Sequence, residues 1–327
     1  MARRSRLAAL LAAFAAAAAA ALLLGPSFTV DREMLGLRLP RVVLACIVGA
    51  GLSTTGAVLQ ALSGNPLADP FVIGASSGAA VGVIVARWVG IPFTSPLLLV
   101  LAVGGAYAAI ALVLRIARVG ARTPVQTLLL AGVTVSTLGT AVVLLYYSVR
   151  VEDATRTMLF LMGNLEEGDW RFIGLAGVAV AAGVVAALLT TRALDAFAMG
   201  EETAGHLGVD VERFKLAFCL LAAALVGVVV AVAGLIGFVG LVVPHIARRL
   251  VGNDHRRMLP ACVLGGATFL LLADLIARTA LAPRMLSLGA ITALCGGPFF
   301  LFLLRRRARE RDALARALEQ AAGESKT

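Results

Sequence analysis

Apolar residues run along this chain in long blocks, interrupted by short clusters of charge and by glycine- or proline-rich turns. Stretches free of Asp, Glu, Lys and Arg cover 7–30, 42–68, 70–86, 88–114, 123–149, 172–191, 216–247, 258–273 and 285–304. A bilayer core takes about 20 apolar residues per helix, so blocks of this length read as membrane spans. The block 216–247 is too long for one span and carries Gly234, Gly237, Gly240 and Pro244, residues that break or bend a helix. Dividing it near Gly237 brings the expectation to ten helices. The block 258–273 extends through Asp274 and Arg278 without losing its apolar pattern. The expected fold class is therefore an all-α polytopic membrane protein, one transmembrane domain over 1–327.

Composition agrees with this solvent. The chain is 60% hydrophobic and 15% charged, with a mean hydropathy of +0.94, whereas soluble domains are nearer 45–50% apolar and about 25% charged. That excludes a soluble enzyme, a disordered scaffold and a disulfide-built secreted domain. The net charge of +10, from 29 basic and 19 acidic residues, fits nucleic acid, anionic lipid or membrane topology. With ten spans both termini share a side. Placing them in the cytoplasm puts about two-thirds of the basic residues inside, as the positive-inside rule requires, so most of the surplus encodes orientation and no nucleic-acid partner is expected.

The N-terminus has Arg3, Arg4 and Arg6 ahead of an apolar run, as a secretory signal does. The run from Leu7 to Leu24 is longer than a usual signal core, and an uncleaved first helix is expected. The tail from Arg305 to Arg316, within 305–327, reads as a basic helix on anionic membrane lipid. Cys46, Cys219, Cys262 and Cys295 stand apart, with neither metal-site nor disulfide spacing.

Two loops are informative. The inside segment 195–214 mixes helix formers with Gly200, Gly205 and Gly208, and Asp195 and Asp210 can each cap a short helix. It reads either as two short helices on the membrane face or as a plain connection. The outside segment 150–171 ends on Trp170, where an interfacial aromatic belongs.

Candidate chemistry is sparse. Gly74-Ala75-Ser76-Ser77-Gly78 matches the G-x-S-x-G nucleophile elbow, but that motif needs a strand before it and a His/Asp pair within reach. Here both flanks are membrane helix. The favoured reading is packing, with Gly74, Gly78 and Gly82 forming a smooth strip for close helix approach. No phosphate-binding G-x-x-x-x-G-K-[ST] or H-E-x-x-H occurs. His206, His245 and His255 are scattered. Asp274 and Arg278, four apart on one helix face, are read as an intramembrane ion pair, which makes Asp274 a poor proton carrier. Arg38 and Arg41 flank Leu39-Pro40 at the outer mouth of the second span. They read either as snorkelling anchors or as forks for the carboxylates of an outside partner.

The wording of the chain then adds a resemblance. LRLPRVV at 37–43, GAVLQALSGNPLADPFVIGASSGAAVG at 56–82, TLLLAGV at 127–133, LMGNLEEGDW at 161–170, MGEETAGHLGV at 199–209, GLIGFVGLVVPHIARRLVGNDHR at 234–256, and LLLADLIART with SLGAITALCGGPFF resemble the membrane subunit of type II ABC importers, the permeases for iron-siderophore, haem and cobalamin. The resemblance covers about 30–305. It implies a homodimer of ten-helix subunits in the inner membrane, with an inverted repeat relating helices two to five to helices seven to ten. It also implies two cytoplasmic ATPase subunits that carry ATP and Mg, an external substrate-binding protein, and no cofactor or metal on this chain.

Carried over residue by residue, the resemblance assigns Arg38, Arg41 and Arg278 to docking of the binding protein. Gly200, Glu201, Ala204, Leu207 and Gly208 are assigned to coupling with the ATPase, and Asn65, Pro66, Leu67, Val125 and Gln126 to the cytoplasmic gate. Around Pro124–Thr127 the sequence departs from the polar residues of cobalamin relatives. The expected activity is import of an iron chelate, siderophore or haem. Cobalamin import is the alternative within the family, and an ion-coupled secondary transporter is the rival outside it.

Overall fold

A computed structural model describes residues 2–24, 32–120, 122–165, 169–303 and 305. All but the first residue of the basic C-terminal tail read from the sequence lies outside them. The described residues form helices joined by loops, with no strand among them. In chain order these are α1 (Ala2–Leu23), α2 (Arg32–Ser63), α3 (Ala75–Trp88), α4 (Pro96–Ala117), α5 (Val125–Val149), α6 (Val151–Leu161), α7 (Trp170–Leu189), α8 (Thr191–Ala198), α9 (Glu201–His206), α10 (Val211–Ala233), α11 (Val239–Val251), α12 (His255–Thr279) and α13 (Leu288–Leu303).

Seven of these, α1, α2, α4, α5, α7, α10 and α12, are long and apolar enough to cross a membrane. The other three blocks expected to span give shorter helices: α3 has 14 residues, α11 has 13, and α13 covers 288–303. Each of the first two is shortened by irregular backbone. Before α3 the chain makes a compact run of turns over 64–74, and before α11 the break falls over 234–238, where Gly234 and Phe238 both take positive φ. The split near Gly237 is thus a break in the helix with no polar loop.

Helices meet where glycine removes the side chain. A Cβ on Gly49 of α2 would land on the Gly266 carbonyl of α12, and one on Gly56 would land on Gly240 of α11. Gly78 and Gly82 of α3 face Gly105 and Leu101 of α4 in the same way. Gly74, expected in the same strip, instead precedes α3 with φ +88 and faces α5 at Gly132 and Val135. In lipid, where apolar side chains gain little by leaving the solvent, such backbone approach supplies much of the attraction between helices.

The segment 150–171, read only as an outside loop, contains α6. At the other end, 195–214 does hold short helical structure, but α8 begins before Asp195. Asp195 does not cap α8. Its Oδ1 accepts from the His255 N–H at 3.0 Å, tying α8 to the start of α12. Asp210 caps α10 by accepting from the Arg213 N–H.

The glycine contacts give a direct stability prediction. Gly266→Ala should destabilise by about 1–3 kcal/mol, the cost of overpacking a filled contact. Gly104→Ala, with nothing within 4 Å of its Cβ position, should be neutral or stabilising, because alanine is the better helix former. Thermal unfolding of the two variants in the same detergent checks the contrast.

Candidate functional site

The two helix breaks lie against each other. Space for a Cβ on Gly240 is taken by Leu52 O and Pro70 Cδ, and one on Gly237 would face the Phe71 ring at 3.7 Å. Between the breaks and α13 lies a cavity of about 620 Å³ lined by Leu67, Asp69, Phe71, Phe238, Leu241 and Phe300, among others. The left-handed backbone of Phe238 brings its side chain against Gly296 of α13, where no Cβ would fit. Non-glycine residues rarely hold this conformation without support from their surroundings.

Both breaks find hydrogen-bond partners within the protein. Asn65 Oδ1 accepts from Leu67 N–H at 3.0 Å and Asp69 Oδ1 from Phe71 N–H at 2.9 Å, two side-chain turns in succession. The Phe71 carbonyl accepts from Ser136 Oγ of α5 at 2.9 Å. In the second break, Leu235 N–H donates to Leu161 O at 3.0 Å. Gln60 reaches from α2 to α11, donating to the Gly240 carbonyl at 3.2 Å and accepting from Arg248 at 3.0 Å.

Of the residues read as a gate, Leu67 lines the large cavity. Pro66 lines a smaller one of about 210 Å³ together with Ala198 of α8, Arg248 and His255. Val125 and Gln126 open α5. The segment 65–67 therefore stands between the large cavity and the end of α8.

The residues read as a coupling surface divide by face. Gly200 and Gly208 bound α9 with positive φ, Leu207 is 61% exposed, and Ala204 is buried. Met199 adds an exposed apolar side chain beside Gly200. Glu201 turns back toward the bundle and accepts from Lys215 Nζ at 3.1 Å.

Arg38, Arg41 and Arg278 are all buried, so the snorkelling alternative for the first two does not hold. Arg41 and Arg278 close on Asp274, which has no solvent exposure. Arg41 Nε lies 2.7 Å from Asp274 Oδ1, and Arg278 Nε lies 2.9 Å from Oδ2. Arg278 also donates to Ala21 O at 3.0 Å and Arg38 to Leu22 O at 2.9 Å. These carbonyls belong to the last turn of α1, which has no helical donors left and carries the negative end of the helix dipole. At the other end of α1, Arg6 donates to Leu250 O of α11 at 2.9 Å.

Reasoning from the sequence found the i,i+4 pair of Asp274 and Arg278 but not Arg41, 233 positions away, nor the capping of α1. It also passed over Lys215, although Glu212 three residues before it is a readable i,i+3 partner. Ser76 is buried at the start of α3, and no group of three His, Cys, Asp or Glu among the described residues could hold a metal ion.

Comparison with known proteins places this geometry. The model of the FecCD transport family matches residues 8–306. The hemin transport system permease protein HmuU of Yersinia pestis is 42% identical over 287 residues, 85% of this chain and 84% of that protein. The vitamin B12 import system permease protein BtuC of Shigella boydii is 39% identical, with 88% of each chain covered. A solved structure described as an inward-facing conformation of a metal-chelate type ABC transporter superposes with a TM-score of 0.83 at 30% identity, over 93% of this chain and 99% of that one.

The buried charges set a testable cost. Asp274→Ala leaves Arg41 and Arg278 without their shared carboxylate, and breaking a buried pair from one side costs about 3–5 kcal/mol. The expected result is a much lower unfolding temperature in detergent. Asp274→Asn, which keeps an acceptor, should lie between.

Proposed function

The chain belongs to the FecCD transport family and is the multi-pass permease subunit of an ABC importer, and we propose that its cargo is an iron chelate, a ferric siderophore or haem. As a permease subunit it is non-catalytic: ATP is hydrolysed on partner ATPases, and a substrate-binding protein and a dimeric organisation go with the family. The family also implies the inner membrane.

One observation carries the pathway reading. Two helices in different halves of the chain, α3 and α11, are short and preceded by broken backbone, and one cavity is lined from both breaks. Paired interruptions of this kind are the strongest pointer to a transport site in repeat-built transporters. This supports an inverted repeat of α2–α5 and α10–α13 and ten membrane-embedded helices in all; the excess of basic residues on one side supports cytoplasmic termini. A bare metal ion would need oxygen, nitrogen or sulfur ligands along its way. Apolar walls such as Leu67, Phe71, Phe238 and Leu241 suit an ion that travels wrapped in its chelator.

In the proposed assembly two copies surround the path and two ATPases carrying ATP and Mg sit on the cytoplasmic face. The exposed face of Met199 and Leu207, flanked by Gly200 and Gly208, meets the ATPase, with Ala204 packed beneath it and Glu201 holding it to the bundle. Asn65, Pro66, Leu67, Val125 and Gln126 narrow the cytoplasmic exit. Arg38, Arg41 and Arg278 receive the acidic residues of the binding protein at the outer end. A partner carboxylate must then compete with Asp274 and with the last turn of α1 for their donors. Cobalamin is the second reading, favoured by the BtuC relative.

Reconstitution in proteoliposomes with the cognate ATPase and binding protein tests this reading. The expected result is ATP-dependent uptake of labelled ferric siderophore or haem. Uptake of cobalamin alone moves the cargo to the second reading, and uptake by the isolated chain on an ion gradient overturns the importer. Arg38→Glu should weaken capture of the binding protein about tenfold or more with the ATPases still attached. Unchanged capture removes Arg38 from the docking surface.

A further inference from the structure

Only two lysines occur in the chain, Lys215 and Lys326, and Lys215 is 1% exposed near the start of α10. Its Nζ donates to the Thr123 carbonyl at 2.6 Å, to Glu201 Oε2 at 3.1 Å and to Glu212 Oε1 at 3.1 Å. An ammonium has three donors and no acceptor, so these three bonds fill it. Each acceptor sits on a different segment. Glu201 opens α9, Glu212 lies in the first turn of α10, and Thr123 stands two residues ahead of α5. The Thr123 N–H also donates to Glu212 Oε1 at 3.3 Å, so both polar groups of that residue's backbone are held by α10.

The neighbouring short helix has a different polar anchor. Asp195 of α8 accepts from the backbone of His255 and also lies 2.6 Å from its Nδ1, which fastens α8 to α12. Gly200, with φ +110, joins the two short helices. Asp195 thus ties α8 to α12, while Phe197 of α8 also packs edge-on against Phe218 of α10 at 5.6 Å; α9 takes its polar tie from α10 and the start of α5, and a glycine lies between the two short helices. α9 has six residues and keeps Ala204 buried beneath it, and its charged tie to the bundle is Glu201 to Lys215.

We propose that Lys215 is a positioning residue that makes α9 and the start of α5 move as one body, so that displacement of α9 by an ATPase is delivered to the head of α5. The inference rests on α9 being the ATPase contact proposed above. Opening one side of a buried, fully bonded ammonium leaves charge without compensation. The hub therefore stays closed while the elements around it move. Because its three acceptors come from three segments, motion of one is imposed on the others.

The test uses the full complex of permease, ATPases and binding protein in proteoliposomes, with the native cysteines replaced by alanine and spin labels at Arg122→Cys and Thr203→Cys, both exposed positions. In the native hub the inter-label distance should be the same without nucleotide and with ATP trapped by vanadate, while Thr203 moves relative to a label on the ATPase. With Lys215→Met the inter-label distance should broaden and become nucleotide-dependent. Cargo moved per ATP hydrolysed, read with whichever of ferric siderophore, haem or cobalamin the native complex accumulates, should fall about tenfold, the scale of one lost charged hydrogen bond. Lys215→Arg should restore most of that ratio. Glu201→Gln, a milder change at a half-exposed site, should move both readouts in the same direction by less.

Unchanged distances and an unchanged ratio in Lys215→Met and Glu201→Gln overturn the hub and leave the importer standing. Transport and hydrolysis falling in equal proportion reduce Lys215 to a structural role and overturn it as well. A native complex in which Thr203 does not respond to nucleotide overturns the α9 contact itself, and the hub with it.

Discussion

In hydrocarbon every backbone amide and carbonyl must find its partner within the protein, and irregular chain is tolerated only where protein or a cavity surrounds it. The two breaks, 64–74 and 234–238, are where this chain meets that demand most severely. The first meets it with its own side chains, Asn65 and Asp69, and with Ser136 from α5. The second takes its partner from the end of α6, through Leu161 O. α6 is therefore more than a surface helix on an outer loop, because its C-terminal end completes the backbone of the central break. Once satisfied, the breaks become useful: they place Phe71 and Phe238 at a wall where a continuous helix would present a regular stripe.

Close packing follows from the same architecture. α2 is the most buried of the long helices, and its glycines let α11 and α12 approach to backbone contact at Gly56 and Gly49. Gln60, one turn on from Gly56, then bonds α11 through a carbonyl and Arg248. The short α11 is thus held along α2 by sterics near its start and by hydrogen bonds beyond it. This fixes the side of the cavity on which Phe238 and Leu241 stand. Phe238 in turn needs Gly296 of α13, so the strained residue is over-determined from two directions.

Much of this was legible in one dimension. Blocks free of charge gave the long helices, the glycines and proline of 234–244 gave the break, and the i,i+4 spacing gave Asp274 with Arg278. The number of full-length spans was not legible, because apolar composition does not distinguish a membrane-crossing helix from an equally apolar segment folded into turns. The block 70–86 reads as one span, yet its first residues make the turn that ends at Gly74. Coupling and gate residues came only from resemblance, whereas docking at Arg38 and Arg41 was one of the two readings their position allowed. What escaped altogether was pairing across sequence distance: Arg41 with Asp274, Arg38 and Arg278 with the end of α1, and Lys215 with Glu201 and Thr123. Periodicity reports which face a residue shares with its own helix, not which other helix lies opposite.

Those long-range pairs have a common logic. α1 is the least buried of the seven long helices and packs on the bundle along one stripe that includes Phe14, Ala17 and Ala21. It is further attached at its ends, by Arg6 to α11 on one side and by Arg38 and Arg278 on the other. α9 is likewise short, bounded by glycines, and attached through Lys215. In both places a peripheral element receives a buried cation from the bundle, Arg38 and Arg278 at α1 and Lys215 at α9, and Arg278 and Lys215 are each also bound to a carboxylate of their own helix. A shared cation carries force between its partners, since releasing one leaves the charge without its full complement of acceptors. At Asp274 and at Lys215, the charges buried in this apolar chain are therefore placed where separate segments meet.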